Sequence, residues 1–225
     1  MKTYKKQNLL LVASVVIWAV VLASSCSRIL AKVLEIGPPE NRVIVEKNVM
    51  VPMRDGIHLA TDIYRPKPAG KYPVVLCRLP YNKNIIGEFG RLFAQRGYIF
   101  VVQDCRATYH SEGDVFIPFV YEERDGMDTV KWIARQKWFD GNLGAWGGSY
   151  FGYTQWAIAV DNPYLKCFYP LITSPNLYQL IFTGGAFHYR LSTGWSSGVG
   201  KQHKESAASA LLGGRIKEPG KEEGF

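Results

Sequence analysis

The sequence predicts an α/β fold built on a mostly parallel sheet, and three observations predict it. The runs 72–79 (YPVVLCRL) and 98–103 (YIFVVQ) are continuously apolar rather than alternating, as in strands buried on both faces. Helical patterns at 87–96 and 122–136 separate these runs from each other and from a third, 143–146. A glycine-rich corner then leads into a further helical stretch, 150–160. Strand and helix alternating in this order require right-handed crossovers and hence parallel neighbours.

Each element has its own warrant. Residues 43–51 and 57–64 alternate apolar and polar side chains around Met53-Arg54-Asp55-Gly56, the signature of an antiparallel hairpin at the sheet edge. Residues 66–70 form a loop before the first buried strand. The helix 87–96 sets Phe89, Leu92 and Phe93 on one face and stops at Gly97. The helix 122–136 does the same with Met127, Val130, Ile133 and Ala134. An Asp140-Gly141 turn signal precedes the strand 143–146, and 165–171 reads as the next strand. After Ser174 the pattern changes: 176–199 mixes aromatics, glycines and serines, and 201–225 is polar with weak periodicity. No further buried strand is visible there, so the sheet is expected to be incomplete at residue 225. There are no internal repeats.

Composition narrows the function classes. The chain of 225 residues carries a formal charge of +8, of which Lys2, Lys5 and Lys6 supply three, leaving +5 on the remainder. The other basic residues are dispersed, which excludes a nucleic-acid surface. Those three lysines precede an apolar run, 9–22, and the small residues Ala23, Ser24 and Ser25 before Cys26. This is the layout of a bacterial export signal, and its apolar run is shorter than the roughly 20 residues a spanning helix takes. Cys26 directly after small residues marks a lipoprotein-type cleavage site, so lipidation of Cys26 and a periplasmic or cell-envelope location are expected. A plain cleaved signal and an uncleaved anchor are the alternatives. Cys77, Cys105 and Cys167 show no metal-ligand spacing, and the first two read as buried small hydrophobes.

The chemistry concentrates in GNLGAWGGSYFGYTQW, residues 141–156. A strand, two glycines (Gly147, Gly148), Ser149 and a helix form the layout of a nucleophile elbow. The serine stands at a sharp turn above the carboxyl ends of the strands, where helix amides can receive negative charge. Ser149 as a simple helix cap is the competing reading. The pattern departs from G-x-S-x-G because position 151 is Phe and the next glycine is Gly152. One oxyanion donor would be the backbone N–H of Tyr150. The other falls at Leu79-Pro80-Tyr81-Asn82, where Pro80 has no N–H and the Tyr81 hydroxyl is the natural substitute. A base is harder to find: His58 and His110 precede the serine, while His188 and His203 follow it in the region without strands.

Five segments in combination resemble the cocaine esterase and X-Pro dipeptidyl-peptidase family of serine hydrolases. They are DGIHLATDIYRP (55–66), CRLPYNK (77–83), QDCRATYHSEG (103–113), DGMDTVKWIARQKWFDGNLGAWGGSYFGYTQW (125–156) and GGAFHYRL (184–191), and the resemblance spans roughly 43–195. It implies an α/β-hydrolase fold, here incomplete, with the start of a helical cap. It makes Gly-x-Ser-Tyr-x-Gly the family's own elbow, which accounts for Phe151, with Ser149 as nucleophile. It places the oxyanion tyrosine in a Pro-Tyr pair, matching Pro80-Tyr81. The family's acid and histidine follow the cap, so this chain is expected to lack both and to be nearly inactive alone. Neither metal nor organic cofactor is implied.

The resulting expectation is a signal at 1–25, a tether at 26–41, the amino-terminal part of a hydrolase domain at 42–175 and the start of a cap at 176–225. The activity expected is acyl-enzyme hydrolysis of esters or amides, with a small molecule or peptide as substrate and the membrane reached through the lipid or signal. A non-catalytic, membrane-tethered binding protein of the same fold is the alternative. An intact small hydrolase using His203 comes third.

Overall fold

The computed structural model describes residues 31–202. The expected export signal, Cys26 and His203 lie outside them. Strand β1 (Val43–Pro52) and β2 (His58–Pro66) form the expected antiparallel hairpin. The turn between them closes with Gly56 N–H on the Met53 carbonyl at 3.0 Å. Next come β3 (Tyr72–Leu79), helix α1 (Gly87–Gln95), β4 (Ile99–Asp104), α2 (Glu122–Ala134), β5 (Phe139–Gly148), α3 (Ser149–Ala157) and β6 (Leu165–Leu171). The six strands make one sheet in the order β1-β2-β4-β3-β5-β6, and β4, β3, β5 and β6 run parallel. This is an α/β-hydrolase type of sheet with an antiparallel hairpin at one edge.

The core lies on both faces, as the continuous apolar runs require. On one face Val75, Cys77, Leu79, Phe100 and Val102 meet Ala94, Phe89 and Phe93 of α1. On the other, Val74, Leu76, Ile99, Val101 and Leu143 meet Val130 and Ile133 of α2 and Ile158 at the end of α3. Every residue of β4 is buried. Cys77 and Cys105 are buried as expected, and burial pushes both thiols well above their ordinary range, whereas Cys167 on β6 is exposed.

Two local readings need correction. The Asp140-Gly141 turn does not precede the fifth strand but lies inside it. There Asp140 Oδ1 accepts from Asn142 N–H at 2.8 Å, and the register against β3 slips between Tyr72 and Val74. The chain bulges without leaving the sheet, because Phe139 is buried and holds its place opposite Tyr72. The helix expected at 150–160 begins one residue earlier, on Ser149 itself, and ends at Ala157.

Beyond β6 the chain is not structureless. It forms α4 (Leu177–Ile181), a two-stranded hairpin of β7 (Phe182–Thr183) and β8 (Ala186–Phe187), and α5 (Tyr189–Gln202). The hairpin is largely exposed, so a search for buried strands passes over it. β6 borders β5 on one side and, among the described residues, no strand on the other. Tyr169 and Leu171 stand exposed on that rim.

Candidate active site

Ser149 occupies the corner between β5 and α3, exposed and with φ of 54°, a left-handed conformation that a non-glycine residue adopts at a cost. The corner is tight. Gly147 has φ of 140°, and a Cβ there would lie 2.0 Å from the Phe151 ring. A Cβ on Gly152 would come within 2.7 Å of Thr173 Cγ2 and 3.1 Å of the Leu171 carbonyl. Side chains at either position would push α3 off the strands. Gln155 ties the corner to its neighbour: its Nε2 donates to the Gly147 carbonyl at 2.9 Å, and its Oε1 accepts from Tyr169 N–H at 2.9 Å.

Behind the serine, Tyr150 is held by buried polar contacts. Its hydroxyl donates to Glu122 Oε1 at 2.6 Å and accepts from Phe119 N–H at 2.9 Å. Glu122 Oε2 stands 3.3 Å from Arg78 Nη2, and both side chains are buried. Arg78 Nη1 donates to the Glu122 carbonyl at 2.7 Å and its Nε to Gln103 Oε1 at 2.8 Å. Burial, and then the Glu122 carboxylate, keep the Tyr150 phenol protonated far above its ordinary range. The backbone N–H of Tyr150, in the first turn of α3, is among the four that have no acceptor within a helix.

Tyr81 follows β3, and the loop carrying it is pinned two residues later. Lys83 N–H donates to Asp104 Oδ1 at 2.7 Å. The buried Lys83 Nζ lies 3.4 Å from Asp104 Oδ2 and 3.5 Å from Asp62 Oδ1. Burial raises the Asp104 carboxyl despite this partner. The Tyr81 hydroxyl contacts Ser149 and accepts from the indole N–H of Trp195 at 2.7 Å. Burial raises its pKa, while those two contacts pull the other way.

Ser149 opens onto a hollow of about 440 Å³. Ile117, Phe119, Ile172, Leu180, Leu191 and Trp195 supply much of its wall, and among the described residues no charged side chain lines it. The structure therefore brings together Ser149, Tyr150 and Tyr81, the three residues singled out from sequence. The three histidines among the described residues stand elsewhere. His58 Nδ1 pairs with Glu112 at 3.1 Å, His110 lies 3.7 Å from Asp104, and His188 is exposed ahead of α5. None of the three lines the hollow.

Three supporting residues were not legible beforehand. Glu122 looks like an ordinary acidic first turn, and Gln155 like a polar interruption of a buried helix. Trp195 sits in a segment without periodicity.

The family model for X-Pro dipeptidyl-peptidase (S15 family) matches residues 55–219. The chain belongs to that family. It is 43% identical over 165 residues to the cocaine esterase of Rhodococcus sp. (strain MB1 Bresler), covering 69% of this chain and 29% of the relative. A putative serine esterase of Mycobacterium bovis is 27% identical over 175 residues, covering 67% and 28%. Among solved structures, a CocE/NonD family hydrolase of Staphylococcus aureus aligns with a TM-score of 0.64 at 27% identity, over 77% of this chain and 36% of that one. An α-amino acid ester hydrolase aligns with a TM-score of 0.51 at 31% identity, over 61% and 27%. The chain thus spans under a third of the length of these curated relatives. The S15-family likeness and the hydrolases beside it give the α/β-hydrolase fold and a hydrolase family, of esterases and peptidases.

Proposed function

We propose that this chain carries the nucleophile and oxyanion portion of an exported serine hydrolase that cleaves esters or amides through an acyl-enzyme. The observation that supports this most is the left-handed Ser149 at the mouth of the hollow, with the Tyr81 hydroxyl in contact with it. Ser149 Oγ attacks the substrate carbonyl and gives up its proton to a base. The carbonyl oxygen takes the negative charge and is held by the Tyr81 hydroxyl and the Tyr150 N–H, each contributing roughly 3 kcal/mol to the transition state. Collapse expels the alcohol or amine with a proton, and water then releases the acid. We place the base and its orienting acid in sequence beyond residue 225, this chain spanning 29% of its esterase relative, so turnover by residues 1–225 alone is low, on the order of a millionfold below a complete triad.

The uncharged wall of the hollow suits an apolar acyl group. A substrate with a free α-ammonium would meet no carboxylate among the lining residues. Exposure to p-nitrophenyl butyrate followed by intact-mass and peptide mapping tests the reading. Slow accumulation of a butyryl group on Ser149 is expected, and none in Ser149→Ala. A label that persists in Ser149→Ala would refute it, and rapid turnover by the unaltered chain would refute the placement of the base.

A further inference from the structure

A hydroxyl has one proton to give and lone pairs to receive, whereas an indole N–H only donates. The Tyr81 oxygen accepts from Trp195 Nε1 at 2.7 Å, so the Tyr81 proton must point away from Trp195. The same oxygen interacts with Ser149, which itself lines the hollow, so the free direction for that proton is toward the serine. Trp195 is itself held in place: its ring stacks on Tyr150 at 5.9 Å and 13°, and on Phe119 at 5.6 Å and 28°. Phe119 and Tyr150 stack on each other at 4.6 Å. The indole is thus seated against the residue that follows the serine, and it reaches Tyr81 from α5, an element separate from the sheet.

We infer that Trp195 is a positioning residue for the oxyanion site: its indole N–H fixes the rotor of the Tyr81 hydroxyl so that this proton is presented to the substrate oxygen. The inference rests on the hydrolase reading above and adds to it the group that aims the donor. Accepting one hydrogen bond also polarises the hydroxyl and makes it a better donor in the other direction. The cap segment then does more than wall the hollow, because the seating of α5 decides which way the Tyr81 proton points. Tyr81 touches the reacting oxygen, and Trp195 acts through it.

Two measurements on the full chain test this. With ¹⁵N-indole labelling, the Trp195 N–H resonance is expected to move upfield and to exchange faster in Tyr81→Phe; an unchanged resonance overturns the contact. The second uses phenylboronic acid, whose tetrahedral serine adduct mimics the oxyanion, followed by ¹¹B NMR. Replacing Trp195 with benzothienylalanine keeps shape and stacking but removes the N–H, and should weaken the adduct about tenfold, the worth of one hydrogen bond of this kind. Trp195→Phe should do the same, and in a Tyr81→Phe background either change should have almost no effect. Full affinity with benzothienylalanine reduces Trp195 to packing and overturns the inference. An adduct that survives Ser149→Ala, or no adduct in the unaltered chain while the indole shift is present, overturns the hydrolase reading and the positioning role with it.

Discussion

The floor and the roof of the hollow are held by different physics. On the floor, Ser149, Tyr150 and Tyr81 sit just past strand ends, and their supports are fixed by buried charges: Arg78 with Glu122, and Lys83 with Asp62 and Asp104. The roof is α4, a small hairpin and α5, with Tyr178, Phe187, Tyr189 and Leu191 exposed, and it reaches the floor through aromatic stacking and the Trp195–Tyr81 bond. Buried polar groups tolerate one arrangement and penalise all others, which suits atoms that must be placed to a fraction of an ångström. Apolar stacking tolerates small displacements, which suits walls that admit substrates. The contrast teaches that stability and reactive geometry are concentrated below the serine, and adaptability above it.

The largest effect should come from unpairing the floor. Arg78→Met leaves Glu122 buried without its cation, and a loss of about 3–5 kcal/mol is expected in urea unfolding. The double change with Glu122→Leu should recover part of that loss, and if it recovers none the pair is not what holds Tyr150. Gly147→Ala comes next, because a methyl group at φ of 140° and 2.0 Å from Phe151 must displace the helix. About 2 kcal/mol of destabilisation is expected, of the size that overpacking and backbone strain cost.

Acid should act more gently, through ion pairs remote from the hollow. Arg54 donates to Asp128 from Nε at 2.9 Å and Nη2 at 2.8 Å. Burial opposes ionisation of Asp128, but these bonds outweigh it and hold the carboxyl below its ordinary value. Asp55 is lowered by the Arg106 hydrogen bond. A carboxyl depressed in the folded state adds stability that is complete above the unfolded value, near 4, and is lost as pH falls through the folded one. Denaturant midpoints should therefore decline below about pH 4, and Arg54→Ala should flatten part of that decline. The smallest effect belongs to the roof and has the opposite sign. Gly194 lies inside α5 with nothing within 4 Å of a Cβ, so Gly194→Ala should raise stability by about 0.5–1 kcal/mol, read as a higher Tm. A loss there would show that α5 packs more tightly than the floor comparison allows.

Sheet and elbow were legible because their signals are local. Continuous apolar runs name strands buried on both faces, and Gly147, Gly148 and Ser149 name the corner. Tyr81 was reachable through Pro80, whose missing N–H leaves room for a side-chain donor, and through the Pro-Tyr pair of the resemblance. The supports were not legible. Glu122, Arg78 and Gln155 are ordinary polar residues until the fold carries them under Tyr150 across long sequence separations. The helices of the roof were not legible in the residue pattern, for another reason: α5 contains Gly194, Gly198 and several serines and has no clean apolar face, so its helix is set by contacts such as Trp195 on Phe119 rather than by pattern.

The rim of β6, which borders no second strand among the described residues, has a practical consequence. Gln155 holds the Tyr169 backbone, but the solvent-facing Tyr169 and Leu171 side chains leave an apolar edge that another molecule can cover at high concentration. Light scattering should climb with protein concentration well before the midpoint of any denaturation curve, and a lysine placed at Leu171 should suppress it.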